Sequence, residues 1–106
     1  MFAEFIARMF LRSHGFSIVK SRYITGRHTG RAEIDIIARR GNLVIFVEVK
    51  NRPSQELAFE AVSFAQSKRL RRAAETWIAR KQWKGDARFD LVWVSGLRVK
   101  WFKNAV

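Results

Sequence analysis

Two acids and one amine that could act together chemically lie in the middle of the chain, at Asp35, Glu48 and Lys50. Asp35 falls in segment 32–39, and the other two fall in segment 43–50. Both segments are rich in β-branched and apolar residues, which is typical of buried strands. We therefore predict that the three charged side chains are carried by two neighbouring strands.

The turn Gly41-Asn42 between these segments has the composition of a two-residue β-hairpin loop. Positions that lie symmetrically about this turn pair with each other, so Asp35 is predicted opposite Glu48, and Glu33 opposite Lys50. Side chains alternate along a strand, and all four therefore share one face of the hairpin.

The opposite face of the predicted hairpin is entirely apolar. This pattern supports the register, because a slip of one residue would bury carboxylates at a cost of several kcal/mol each. The residues on the apolar face are Ile34, Ile36, Ala38, Ile45, Val47 and Val49.

Two carboxylates directly opposite each other, with Cβ atoms roughly 5 Å apart, repel unless a positive charge lies between them. Mg²⁺ prefers oxygen ligands and is commonly held by one or two carboxylates together with phosphate and water. Lys50 follows Glu48 by two positions and reaches the same pocket, where an ammonium group can offset charge that develops on a phosphate. The pattern predicts a metal-dependent site for phosphodiester hydrolysis.

Other interpretations of the polar residues remain open at this stage. A lone Glu-x-Lys is also typical of a solvated strand face. A zinc site would need both histidines, His14 and His28, together with carboxylates, because the chain has no cysteine. Asp90 is either a further acid of the site or a structural carboxylate hydrogen-bonded beside Arg88, and we favour the structural role.

The composition limits the class of protein and its partners. The chain has 106 residues with a net charge of +12, which favours a polyanion as partner, although a basic solvated surface without a partner is the alternative. Nucleic acid is favoured over an anionic membrane because the basic residues are spread along the chain. Without cysteines, a transmembrane segment or a signal peptide, the sequence predicts a cytoplasmic protein.

The elements that must position the site follow from periodicity. We predict a helix over 1–13, a strand over 16–23, a loop over 25–30, the two strands of the hairpin, and a long helix from about Glu56. That helix crosses over to a parallel strand at 88–94, and a last strand covers 98–102. The prediction is one α/β domain over residues 1–106, with a mixed central sheet, an antiparallel meander joined by a parallel strand, and helices packed on it.

The long helix also has a basic face. Its charges predict either a solvated face or a surface that contacts phosphates, and we favour contact with phosphates. The residues predicted to bind nucleic acid are Lys68, Arg69, Arg71 and Arg72.

The segments Ala32–Ala38 and Phe46–Arg52 together resemble the signature of the bacterial YraN family, and the resemblance extends over nearly the whole chain. That family belongs to the restriction-endonuclease-like superfamily, and its pattern is similar to that of archaeal Holliday-junction resolvases. The resemblance implies a restriction-endonuclease-like fold and a Mg²⁺- or Mn²⁺-dependent endonuclease that acts on DNA, including branched DNA. Gln66 stands where the family commonly has a basic residue.

The resemblance also implies roles for individual residues. Asp35, Glu48 and the backbone carbonyl of Val49 would be metal ligands, and Lys50 would be the catalytic lysine. Glu4 would reach the site from the first helix, and Glu33 would be a supporting acid.

Two other functions remain as alternatives. One is a non-catalytic nucleic-acid-binding module on the same fold, and the other is a basic protein associated with RNA, although DNA is favoured over RNA. A homodimer and a monomer are both compatible with the sequence.

Overall fold

The computed structural model describes residues 2–26 and 31–106. In this part of the chain, three helices and five strands follow one another. They are α1 (Phe2–Ser13), β1 (Ser17–Thr25), β2 (Ala32–Arg40), β3 (Leu43–Asn51), α2 (Gln55–Glu60), α3 (Phe64–Lys81), β4 (Asp86–Ser95) and β5 (Arg98–Phe102). Positions 27–30 of the predicted loop, including His28, lie outside the described residues.

The five strands form one mixed sheet in the order β1-β2-β3-β4-β5. Every neighbouring pair is antiparallel except β3 and β4, which are parallel and are connected through α2 and α3. A parallel pair requires a crossover of this length, because the chain has to return to the same end of the sheet. The predicted α/β architecture is confirmed.

The hairpin between β2 and β3 turns at Gly41 and Asn42, as the sequence predicts. Gly41 has a φ of +58°, a conformation that glycine adopts without the steric cost of a Cβ. The predicted register is confirmed over five pairs, from Arg40↔Leu43 to Ile36↔Val47. The pairing does not extend to Asp35 and Glu48 or to Glu33 and Lys50, so the prediction that these residues are paired in the ladder is wrong.

The sheet is buried on both faces. On one face, α1 packs over Ile36, Ala38, Ile45 and Val47. On the other face, α3 packs over a second group of apolar residues, which includes Ile34, Ile37, Val44 and Phe46.

The prediction of a single apolar face is therefore incomplete, and it is wrong for Ile34. Ile34 and Ile36 are two positions apart, yet they belong to opposite cores. The alternation of side chains between the two faces of β2 is therefore interrupted at Asp35. Asp35 directly precedes Ile36, which forms the last pair of the ladder with Val47.

The crossover consists of two helices, and the prediction of one continuous helix from Glu56 is wrong. Helix α2 ends at Glu60, and α3 begins after Ser63, whose Oγ accepts a 3.0 Å hydrogen bond from the backbone N–H of Gln66. A serine in this N-cap position satisfies one of the free N–H groups of the first turn. The break sets the start of α3 and thus the position of its first residues above the sheet.

None of the helices in the described parts of the chain is long and apolar enough to cross a membrane.

Candidate metal centre

Glu48 and Lys50 form the central ion pair of the candidate site. They are alternate residues of β3, and Lys50 Nζ lies 3.1 Å from Glu48 Oε1. Their side chains are only 12% (Lys50) and 7% (Glu48) exposed. Water therefore screens this pair weakly, and each charge strongly affects the other.

The Asp35 carboxylate lies where β2 and β3 separate. Its Oδ2 accepts a 2.8 Å hydrogen bond from the backbone N–H of Val49. If the hairpin register continued, Val49 would lie opposite Ile34. Instead, the backbone N–H of Val49 donates its hydrogen bond to the side chain of Asp35. Asp35 is thereby held against the segment of β3 that carries Glu48 and Lys50.

Burial raises the pKa values of both carboxyl groups of this centre, and the repulsion between the two groups adds to the shift of Asp35. Burial, and after it the negative charge of Glu48, together raise the pKa of Asp35 to about 7, against the effect of the Val49 hydrogen bond. Burial also raises the pKa of Glu48, while the positive charge of Lys50 and hydrogen bonding with Lys50 and Asp35 oppose this shift. Lys50 alone therefore does not compensate the two carboxylates.

Gln66 is a member of the site that sequence reasoning did not select. Its Nε2 donates a 2.9 Å hydrogen bond to Glu48 Oε1, the same oxygen that Lys50 contacts. Gln66 lies in the first turn of α3, three residues after the cap Ser63, and its side chain reaches from the helix down to the sheet. The pattern Ser-x-x-Gln marks a helix start, and this signal predicts where Gln66 is placed.

Glu4 and Glu33 approach the centre from different elements. Glu4 lies on α1 and is only 7% exposed, and its charge contributes to the raised pKa of Asp35. Glu33 lies on β2, where its Oε1 is 3.2 Å from Nε of Arg22. The charge of Glu33 acts on both Asp35 and Glu48, but Arg22 partly neutralises it.

The donors present fit a hard divalent cation. Carboxylate oxygens are the ligands that Mg²⁺ prefers. Asp35 and Glu48 repel each other, and a divalent cation between them would neutralise this excess of negative charge. Within residues 2–26 and 31–106, no group of three or more His, Cys, Asp or Glu side chains is arranged to hold a metal ion. The role of the Val49 carbonyl as a ligand stays a prediction.

The four basic residues predicted to bind nucleic acid point in different directions. Arg69 lines a cavity together with Gln66, close to the candidate metal centre. Arg71 is turned away, since its guanidinium donates a 2.7 Å hydrogen bond to the carbonyl of Val106 and lies 4.4 Å from the centre of the Phe89 ring.

Of the other two predicted contacts, Lys68 lies over the exposed ring of Phe64, and Arg72 is exposed. Of the four residues, Arg69 is the one that lines the cavity beside the centre.

Asp90 is a structural carboxylate, as favoured from the sequence. It is fully buried and accepts four hydrogen bonds of 2.8 Å, two from Arg88, one from the indole of Trp101 and one from the backbone of Asn104. Each carboxylate oxygen has two donors, so Asp90 has no free electron pair directed at a ligand.

His14 contacts neighbouring residues at the end of α1. Its Nδ1 lies 2.9 Å from the carbonyl oxygen of Phe10, and its ring packs edge-on against Trp101.

The mixed five-strand sheet, with helices on both faces and an acid–lysine cluster where β2 and β3 separate, places the protein in the restriction-endonuclease-like class of α/β proteins. Residues 3–94 match the uncharacterised protein family UPF0102, and the chain belongs to this family, which is the YraN family suggested by the sequence.

Similar proteins come from several bacteria. A UPF0102 protein of Paramagnetospirillum magneticum is 39% identical over 99 residues, which cover 92% of this chain and 77% of the relative. A UPF0102 protein of Rhizobium etli is 40% identical over 99 residues, covering 92% of this chain and 78% of the relative. A UPF0102 protein of Bartonella tribocorum is 46% identical over 92 residues, covering 85% of this chain and 68% of the relative. These names record family membership and state no activity.

Proposed function

We propose that the protein is a metal-dependent endonuclease that hydrolyses phosphodiester bonds of DNA, including branched DNA. The observation that carries this proposal is the convergence of Asp35, Glu48 and Lys50 at the point where two strands of the sheet separate. Glu48 is buried, Asp35 and Lys50 are half-buried, and the three charges sum to a net negative charge. Such a cluster costs stability, and clusters of this kind occur at functional sites, where a cation would balance the charge.

The side chains divide the work by their chemistry. Asp35 and Glu48 would hold the cation, which supplies Lewis acidity and charge neutralisation at the phosphate. Lys50 donates hydrogen bonds to phosphate oxygens. Its positive charge stabilises the negative charge that develops on these oxygens during attack by water. Gln66 and Val49 orient the two carboxylates through hydrogen bonds of 2.9 and 2.8 Å.

The charge of the chain favours nucleic acid as the substrate. A net charge of +12 attracts a polyanion over a distance and raises the rate of encounter. DNA is the substrate we test first, and RNA serves as the comparison.

Cleavage of labelled linear, single-stranded and four-way DNA in the presence of Mg²⁺ or Mn²⁺ tests the proposal. At least one substrate should be cut, and EDTA should stop the reaction. Lys50→Ala should abolish cleavage while it leaves DNA binding in EDTA largely intact. Lys100→Ala, which removes an exposed lysine from β5, is the matched control and should cleave normally.

Two outcomes would overturn the proposal. Cleavage that persists unchanged in Lys50→Ala would come from a contaminating nuclease. Binding without turnover on every DNA and RNA substrate would identify a non-catalytic binding module instead.

A further inference from the structure

A cavity of about 310 Å³ lies beside the candidate metal centre. In the part of the chain that the structure describes, the residues that line the cavity are Arg31, Glu33, Gln66 and Arg69. Gln66 belongs to both places, because the same side chain donates its hydrogen bond to Glu48. The cavity and the centre are thus separated by one side chain.

The acid in this cavity already has a partner. Glu33 Oε1 lies 3.2 Å from Nε of Arg22, which sits in β1 with a φ of +56°, a conformation uncommon outside glycine. In the register between β1 and β2, Ile24 lies opposite Glu33, so Arg22 reaches this carboxylate along the diagonal. Because Glu33 is already paired with Arg22, it does not fully compensate the two arginines that line the cavity, Arg31 and Arg69.

Arg31 and Arg69 have no carboxylate of their own. All nine acids of the chain lie in residues 2–26 and 31–106, and within these residues no ion pair includes either arginine. Two guanidinium groups that line one cavity repel each other, and an anion between them relieves this repulsion. Guanidinium groups bind phosphate oxygens through pairs of parallel hydrogen bonds, which makes phosphate the best-matched anion.

We propose that this cavity holds an internal phosphodiester group of the nucleic acid, a neighbour of the phosphate that lies at Asp35 and Glu48. Arg31 and Arg69 are then positioning residues that fix the strand across the sheet, while Gln66 separates the bound phosphate from the carboxylates. This inference rests on the proposed function for its ligand, but it concerns binding and can be tested without turnover.

The salt dependence of DNA binding tests the inference. Binding of labelled duplex and four-way DNA is measured by fluorescence anisotropy in EDTA, at several salt concentrations between about 50 and 200 mM, where phosphate contacts weaken strongly. Arg31→Gln and Arg69→Gln should each lower the slope of log K against log salt by about one, and the double variant by about two.

The matched control is Arg98→Gln, which removes an exposed arginine from β5, at the edge of the sheet opposite β1. This variant should bind with nearly the slope of the unmodified protein. An equal decrease in all three single variants would mean a diffuse basic surface and would overturn the inference. Unfolding midpoints in urea should agree among the variants, since the three arginines are exposed.

A second comparison distinguishes internal from terminal phosphates. The same strands are tested with and without a 5′-phosphate, and the affinity should not change. A loss of about tenfold on removal of the terminal phosphate would mean that the cavity binds strand ends, and this would overturn the proposal of an internal phosphodiester.

The result also separates this inference from the proposed function. If the protein does not cleave DNA but the two cavity variants show the expected decrease in the salt slope, the phosphate site stands and the nuclease proposal fails. If the protein cleaves and the slopes do not change, the nuclease proposal stands and the phosphate site fails. Absence of DNA binding would overturn both.

Discussion

Oδ2 of Asp35 accepts a 2.8 Å hydrogen bond from the backbone N–H of Val49, at the place where β2 and β3 stop pairing. A side chain thus takes over a hydrogen bond that a regular hairpin would make with backbone. The Asp35 carboxylate satisfies the backbone N–H of Val49 at the position where the recorded backbone pairing of the two strands ends. This position is where Glu4 from α1 and Gln66 from α3 can both approach the sheet.

Asp35→Asn should stabilise the metal-free protein at pH 8. The pKa of Asp35 is raised to about 7, above its unfolded value of 3.8, so the folded state binds more protons and its stability falls as the pH rises between these values. Asparagine removes the charge and can still accept the hydrogen bond of Val49. We expect a gain of roughly 1 to 3 kcal/mol at pH 8 and almost none at pH 4, measured by urea unfolding in EDTA.

The control for this change is Asp86→Asn, an exposed residue at the start of β4, which should unfold like the original protein at both pH values. The original protein should gain stability from Mn²⁺ at pH 8, whereas Asp35→Asn should not. A variant that is less stable than the original protein at pH 8 would contradict the account of the buried charge.

Gln66→Leu should weaken metal binding without unfolding the protein. The variant removes the 2.9 Å hydrogen bond that orients Glu48, and hydrogen bonds of this kind to metal ligands typically change affinity by about 10- to 100-fold. Titration with Mn²⁺, followed by the electron paramagnetic resonance of the free ion, measures the change. Gln55→Leu on α2 should keep the original affinity, and equal affinities in both variants would rule out a positioning role for Gln66.

Glu33→Gln should strengthen DNA binding in EDTA by several-fold. The substitution removes the carboxylate from the cavity and releases Arg22, so the local positive charge increases. Glu75→Gln, an exposed position on α3, gives the effect of a lost negative charge elsewhere on the surface. If both variants bind equally tightly in an anisotropy titration, the charge of Glu33 does not act on the cavity.

The turn Gly41-Asn42 and the apolar pattern around it were sufficient to predict the hairpin register from sequence. Periodicity cannot predict where a ladder stops, because the separation at Asp35 depends on a hydrogen bond between a side chain and a backbone amide. The approximate positions of Asp35, Glu48 and Lys50 were therefore predictable, but their pairing geometry was not.

The crossover illustrates a second limit of the sequence. Apolar residues at helical spacing continue through positions 61–63, and this pattern alone predicts one helix. The Ser63-x-x-Gln66 pattern indicates a new start, and with it the site residue Gln66 becomes recognisable. Arg31 carries no such local signal, since its approach to Arg69 depends on how α3 packs over β2.

Ser63→Ala should destabilise the protein by about 1 kcal/mol, because it removes the cap of α3. Ser63→Asp keeps an acceptor for the N–H of Gln66 and should restore the stability, while Ser67→Ala inside the helix should change it little. Urea unfolding measures these differences. If alanine and aspartate at position 63 unfold alike, the cap does not determine where α3 begins.

Asp90→Asn should be the most destabilising of these substitutions and should act through folding alone. It leaves the guanidinium of Arg88 without its carboxylate and breaks part of a buried set of four hydrogen bonds, for a cost of about 3 to 5 kcal/mol. Its metal affinity, measured at a temperature where the variant is folded, should equal that of the original protein, because no oxygen of Asp90 is free to bind a cation. A weaker Mn²⁺ affinity in a fully folded Asp90→Asn variant would instead place Asp90 among the acids of the metal centre.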